Sequence, residues 1–292
     1  MLGIKFIAAL LLIWSLFTGG TASGCRSKAT KPSSPEQPTP AGDMKVIAEG
    51  AHSPVTTAFV AVIRDAETYA ALRRAANNLP DVSEDTFKSK ILIAAFLGER
   101  NTGGYSVEIS RGANGEIRVA EKAPAKDMMT AQVITSPFKV VSLPVTGTTP
   151  LSVSEGAGFK QTAQLYRIDK GSFTISGGIA GRSEPYSLVG KLRVTRLGEL
   201  VTVGFAVVSA ATSRERSLRD IATGTTKDNS FTIARMSHGS LVDPPSGDLH
   251  VNGRFVETNR LTLDLDTGPV TVPDGFQGKG TIEAQMVAAG AN

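Results

Sequence analysis

Cysteine is almost absent: Cys25 is the only one in 292 residues. A lone thiol cannot close an internal disulfide, so nothing in the fold rests on an oxidative cross-link. Tryptophan is as rare, Trp14 alone, and aromatic residues make up 6% of the chain. That scarcity argues against stacking platforms for bases or sugars. The three histidines, His52, His238 and His250, stand in no HExxH or comparable metal-ligand spacing. There is no GxSxG elbow. Charges nearly balance, 31 Lys and Arg against 27 Asp and Glu, and the small positive excess is spread along the chain. No nucleic-acid partner is expected from such a distribution. No cofactor or metal is expected either, and a hydrolase assembled in space from serine and histidine is the least supported functional reading.

A long hydrophobic run is also missing. The apolar stretch from Phe6 to Phe17 follows a single charge, Lys5, and gives way to small residues from Thr18 to Gly24. A membrane-spanning helix needs about 20 apolar residues, whereas a short run with a small-residue close reads as a cleaved signal peptide, residues 1–24. Ala22-Ser23-Gly24-Cys25 resembles the bacterial lipobox, in which the cysteine is lipidated and becomes the new N-terminus. The alternative is an ordinary signal peptidase site at the same bond. The lipobox reading gives Cys25 a lipid and places the protein in the bacterial cell envelope, membrane-anchored and facing the periplasm or exterior. Residues 25–43 carry Pro32, Pro35, Pro38 and Pro40 among Ser, Thr, Lys and Gln, too polar to bury a core. At about 3.1 Å per residue such a tether holds a folded body some ~50 Å from the membrane.

Residues 44–147 read as an α+β domain, one helix on an antiparallel sheet. Asp65 is a good N-cap, Tyr69, Leu72, Ala76 and Leu79 recur at helical spacing, and Pro80 stops the helix. Ile91 to Leu97 is apolar throughout, as in a strand covered on both faces. Tyr105, Val107 and Ile109 alternate with polar residues, as do Ile117 and Val119, and Asn114-Gly115 between them signals a hairpin. Further strands are expected at 130–135 and 138–143, separated by Pro137.

Phe96-Leu97-Gly98-Glu99-Arg100 followed by Thr102-Gly103-Gly104-Tyr105-Ser106-Val107-Glu108-Ile109 resembles the signature of the C-terminal domain of PrcB-type protease-complex subunits. Val62-Ile63-Arg64-Asp65 and Ser136-Pro137-Phe138 fall where that family has similar residues. The resemblance implies a non-catalytic accessory role, holding or stabilising an exported protease. Arg100, Gly103, Gly104 and Tyr105 are the candidate partner-binding residues. The competing reading of the same turn is a tight connection between strands, since paired glycines supply backbone conformations that other residues avoid.

Residues 158–290 read as all-β. Leu192 and Val194, Val201 to Val207, Leu249 to Phe255, Leu261 to Leu265, and Ile282 to Met286 alternate with polar residues, the pattern of an antiparallel barrel or sandwich. One register is legible. Phe255 facing Leu261 superposes two apolar sets, with Glu257-Thr258-Asn259 as the loop. It sets His250 against Asp266 and Asn252 against Asp264 on the other, solvated face, so these aspartates are read as surface residues and not as a calcium loop. Gly177 to Gly181 reads as a turn, not a phosphate cradle.

Tyr166-Arg167-Ile168-Asp169 and Ser246-Gly247-Asp248-Leu249-His250-Val251-Asn252-Gly253 resemble the YceI-like polyisoprenoid-binding domains. That resemblance implies a lipocalin-like barrel around an apolar lipid ligand. The leading functional expectation is therefore a membrane-anchored, non-catalytic binding lipoprotein, an accessory subunit of a secreted protease. A lipid or polyisoprenoid carrier is the alternative.

Overall fold

Five buried residues in a row, Phe59–Ile63, set the architecture of the first half. This strand, β2, lies in an antiparallel sheet with β1 (Lys45–Gly50), β3 (Lys90–Phe96) and β6 (Phe138–Pro144), in the order β1-β6-β3-β2. Phe59, Ala61 and Ile63 face one core together with Leu92, Ala94, Phe96, Phe138 and Val140. The intervening Val60 and Val62 face another with Ile91, Ile93, Ala95, Val141 and Leu143. Because strand side chains alternate, a run apolar at every position needs cover on both sides. The first face is covered by helix α1 (Ala66–Ala75), whose Tyr69, Ala71 and Leu72 are buried. The second is covered by a three-stranded sheet of β4 (Ser106–Arg111), β5 (Ile117–Lys122) and β7 (Val153–Glu155), with β7 parallel to β5.

The structure, a computed structural model, describes residues 44–112, 115–144, 153–156, 159, 163–177, 182–210, 215–236, 248–268 and 277–287. Cys25, the signal peptide, the tether, Asn114, residues 178–181, His238 and Ser246-Gly247 lie outside the described residues.

Helix α1 starts where expected. The Asp65 carboxylate accepts from the Thr68 N–H at 2.7 Å and from the Thr68 hydroxyl at 2.9 Å. It ends one turn before Pro80, at Ala75, with the Ala76 N–H still donating to the Leu72 carbonyl. Asn77 and Asn78, poor in a helix interior, fill the gap. Leu79 is buried all the same, and the Tyr69 hydroxyl donates to the Pro80 carbonyl at 2.8 Å. The expected strand at 130–135 is not formed. The Val133 N–H instead donates to the Ala131 carbonyl two residues back, and only Thr135 makes a bridge, with Arg100. Adjacent Val133 and Ile134 break the alternation a half-buried strand requires.

The second half is a closed eight-stranded antiparallel barrel. Its strands in chain order are β8 (Gln164–Gly177), β9 (Arg182–Leu197), β10 (Leu200–Ala210), β11 (Glu215–Lys227), β12 (Ser230–Met236), β13 (Leu249–Val256), β14 (Arg260–Asp266) and β15 (Gln277–Met286). The β13–β14 register is the one expected: Phe255 opposes Leu261, Asn252 opposes Asp264 and His250 opposes Asp266. On the outer face the Asp266 carboxylate accepts from the Gly268 N–H at 2.7 Å. The inward residues form one packed cluster from Tyr166 round to Ala284. Its aromatic rings lie over glycines of the neighbouring strand: Phe231 over its register partner Gly253, Phe173 over its partner Gly280 and over Gly278.

The halves are joined through the barrel's outer wall, and the described residues fall in one compact unit. Among the described residues, β11 and β12 pair only at Thr225, Thr226 and Lys227. Farther along β11, Arg64 of the first half takes the vacated edge. Its Nη1 donates to the Ile221 carbonyl at 3.3 Å and its Nη2 lies 3.2 Å from Oδ2 of Asp220. Oδ1 of Asp220 accepts the Ile221 N–H at 2.8 Å. A guanidinium and a carboxylate thus satisfy the backbone of Ile221 where no strand does. Nearby, the Val62 N–H donates to the Thr223 hydroxyl at 2.9 Å. Arg74 holds Glu199, Arg193 holds Glu155, and Arg235 donates to the Phe87 carbonyl at 3.2 Å. Ile221 and Leu200 of the barrel wall belong to the two cores of the first half.

Candidate functional surface

The residues from Gly98 to Tyr105 link β3 to β4, and hydrogen bonds from Glu99, Arg100 and Gly103 hold them. Gly98 has φ +70, and a Cβ there would sit 2.7 Å from the Thr56 carbonyl oxygen and within 3 Å of two further backbone atoms. The Glu99 N–H donates to Thr56, and Arg100 exchanges two backbone hydrogen bonds with Thr135 at 2.7 and 2.9 Å. The Arg100 guanidinium is spent inside the protein. It donates to the Leu97 carbonyl at 2.9 Å, to the Glu99 carbonyl at 2.8 Å and to the Glu121 carboxylate at 2.7 Å. Its Cζ also lies 5.9 Å from the centre of the Tyr105 ring. Tyr105 is partly buried against the core below.

The four residues singled out from the sequence are therefore brought together, in two different roles. Arg100 and Tyr105 build and hold the turn. Gly103 and Gly104 tie it to the following loop: the Gly103 N–H donates to the Ala131 carbonyl at 2.9 Å, and Gly104, at φ +86, leaves 2.9 Å between a would-be Cβ and Pro124.

The loop they hold is the surface that sequence reasoning missed. Met129 is 98% exposed, Ile134 63%, Met128 59% and Val133 46%. These four are most of the large apolar side chains left open to solvent among the described residues, and they lie within seven positions of one another. Exposed apolar residues scattered singly need no explanation, but four within seven positions make this loop a candidate contact surface. The signal was available as Met128-Met129 and Val133-Ile134, adjacent apolar pairs outside any period. Val133-Ile134 falls inside the strand expected at 130–135, and Met128-Met129 precedes it.

A second concavity, of about 610 Å³, lies between the start of α1 and the β11–β12 hairpin. Glu67, Arg74, Glu199, Thr225 and Lys227 contribute to a lining that is polar and open. It offers none of the apolar enclosure usual for a small-molecule site.

The described residues form one compact unit with an exposed apolar loop. Residues 91–144, which run from β3 through the turn and the loop to β6, match the family described as PrcB C-terminal. The stretch found from its Gly-Gly-Tyr signature is thus a PrcB C-terminal match. No curated protein matches the chain.

Proposed function

We propose that the protein is a non-catalytic accessory subunit of an exported protease complex, and that the Met128–Ile134 loop is its docking surface. The observation that carries this reading is position. The exposed apolar cluster lies inside the stretch that matches the protease-complex family, and the signature residues of that stretch fasten it in place. Flexible methionines suit a surface that must adapt to a partner. The proposal includes anchorage of the chain in the cell envelope through lipid on Cys25.

A photo-crosslinking residue at position 129 of the full-length protein, irradiated in intact cells, tests the docking claim. An exported protease or a subunit bound to one is the expected adduct. Crosslinks confined to lipid, or to proteins outside any protease complex, would overturn it. For the anchor, a Cys25→Ser chain should move to the soluble fraction, and retention at the wild-type level would remove that part of the proposal. The inward side chains of the barrel pack on one another, so no observation favours the lipid-carrier reading.

A further inference from the structure

The loop that presents the contact surface also presents two sulfurs. The chain has six methionines, and those described differ sharply in access. Met236 is wholly buried in the barrel core, and Met44 and Met286 are partly buried against cores. Met128 and Met129 stand 59% and 98% exposed. The backbone on either side of them is held, since the Met128 N–H donates to the Ala125 carbonyl at 3.0 Å and the Ala131 carbonyl accepts from the Gly103 N–H.

From this contrast we infer that Met128 and Met129 form an oxidation-sensitive modification site that switches the docking surface from apolar to polar. The oxidant is a peroxide. The thioether sulfur attacks one peroxide oxygen and the O–O bond breaks. The sulfur gives up two electrons and becomes a sulfoxide, and the other oxygen leaves as water. The product side chain is polar and chiral where the reactant was flexible and apolar. Two such changes next to Val133 and Ile134 split the apolar cluster in half. Sulfoxide reduction by a reductase restores it, so the change is reversible in chemical terms. The effect on docking rests on the function proposed above, whereas the selectivity of the chemistry does not.

The test begins with the intact folded protein and graded hydrogen peroxide, followed by peptide mass mapping. A gain of about 16 Da on each of Met128 and Met129 is expected at least about tenfold faster than on Met236. Equal rates at all methionines, or faster reaction at Met44 or Met286, would overturn the site. The second readout is retention on a phenyl-substituted resin. Peroxide should lower retention of the wild type and leave that of a Met128→Leu/Met129→Leu chain unchanged, because leucine keeps the apolar surface and cannot be oxidised. Loss of retention in both would place the effect elsewhere and sink the switch. Finally, a photo-crosslinking residue is placed at position 134, which keeps both methionines in the chain, and the crosslink is taken before and after oxidation of the cells. An unchanged yield of the protease adduct refutes the switch, whereas absence of the adduct before oxidation refutes the docking function and leaves the mapped site standing.

Discussion

Arg64 and Asp220, 156 positions apart in the chain, meet as a buried ion pair with a nitrogen–oxygen distance of 3.2 Å. Asp220 shares its strand face with the inward residues Leu218 and Ala222, so the first half of the protein reaches into the barrel wall to neutralise a charge there. Removing Arg64 takes a buried counter-charge away from Asp220, and breaking such a pair typically costs about 3–5 kcal/mol. Arg64→Ala should therefore lower stability by roughly that amount, measured by urea unfolding. Adding Asp220→Asn, which removes the carboxylate charge and keeps an acceptor for the Ile221 N–H, should recover part of the loss. A double variant less stable than Arg64→Ala alone would contradict this account. Both halves are expected to unfold in one transition.

Arg100 gives a prediction about local motion. Its guanidinium ties the turn to Leu97, Glu99 and Glu121, and the turn ties down the methionine loop. Arg100→Ala should speed hydrogen exchange at the Gly103 and Thr135 amides by about tenfold, equivalent to about 1.4 kcal/mol of local opening free energy. Exchange in the β13–β14 hairpin should stay as it is. An effect spread over both halves would mean global destabilisation instead.

Gly98 tests backbone strain against mere φ preference. At Gly98 an added methyl meets the backbone of residues 56–58, whereas at Gly115, also at positive φ, nothing lies within 4 Å. Gly115→Ala should cost about 1 kcal/mol, the conformational term alone. Gly98→Ala should cost clearly more, because backbone cannot step aside cheaply. Thermal unfolding of the two variants decides; equal losses would show that the crowding at Gly98 is relieved without cost.

Tyr69 and Tyr166 predict how stability falls in base. Burial raises both hydroxyl pKa values above the ordinary 10.0, against a smaller lowering by Arg73 at Tyr69 and by Arg196 at Tyr166. The unfolded chain ionises first as pH rises. The tyrosine contribution is therefore complete below about pH 10 and is lost as pH climbs through the raised folded values. Tyr69→Phe should lower stability at neutral pH by about 1 kcal/mol, for the lost bond to Pro80. It should also flatten part of the alkaline decline in urea midpoint. A decline as steep as that of the wild type would assign it to other groups.

What was legible in the sequence follows periodicity. The β13–β14 register could be read residue by residue because alternation sets the apolar face and the short Glu257-Thr258-Asn259 loop selects the pairing of Phe255 with Leu261. β3 was legible as a strand covered twice because every position in it is apolar. The edge strand β1, with Lys45, Val46 and Glu49 exposed, carries no such pattern and gave no sign of itself. The joint at Arg64 was also invisible, since nothing in either segment says that an arginine will stand in for a missing strand. At the candidate surface, the Gly-Gly-Tyr residues were found by resemblance, but the side chains open to solvent lie some 25 residues further on. The Gly103–Ala131 and Arg100–Thr135 hydrogen bonds reveal that the two belong together.

The rings seated over glycines in the barrel have a consequence for engineering. In an eight-stranded barrel the interior is wide enough either to be filled by side chains or to hold one small guest, and here Phe173 and Phe231 belong to its cluster of buried side chains. Cutting Phe231 back to alanine would cost about 3–5 kcal/mol and leave a dry, apolar void bordered by Gly253 and Phe255. Engineered voids of that kind take up benzene or xenon. The barrel is thus one truncation away from a host for small hydrophobic molecules.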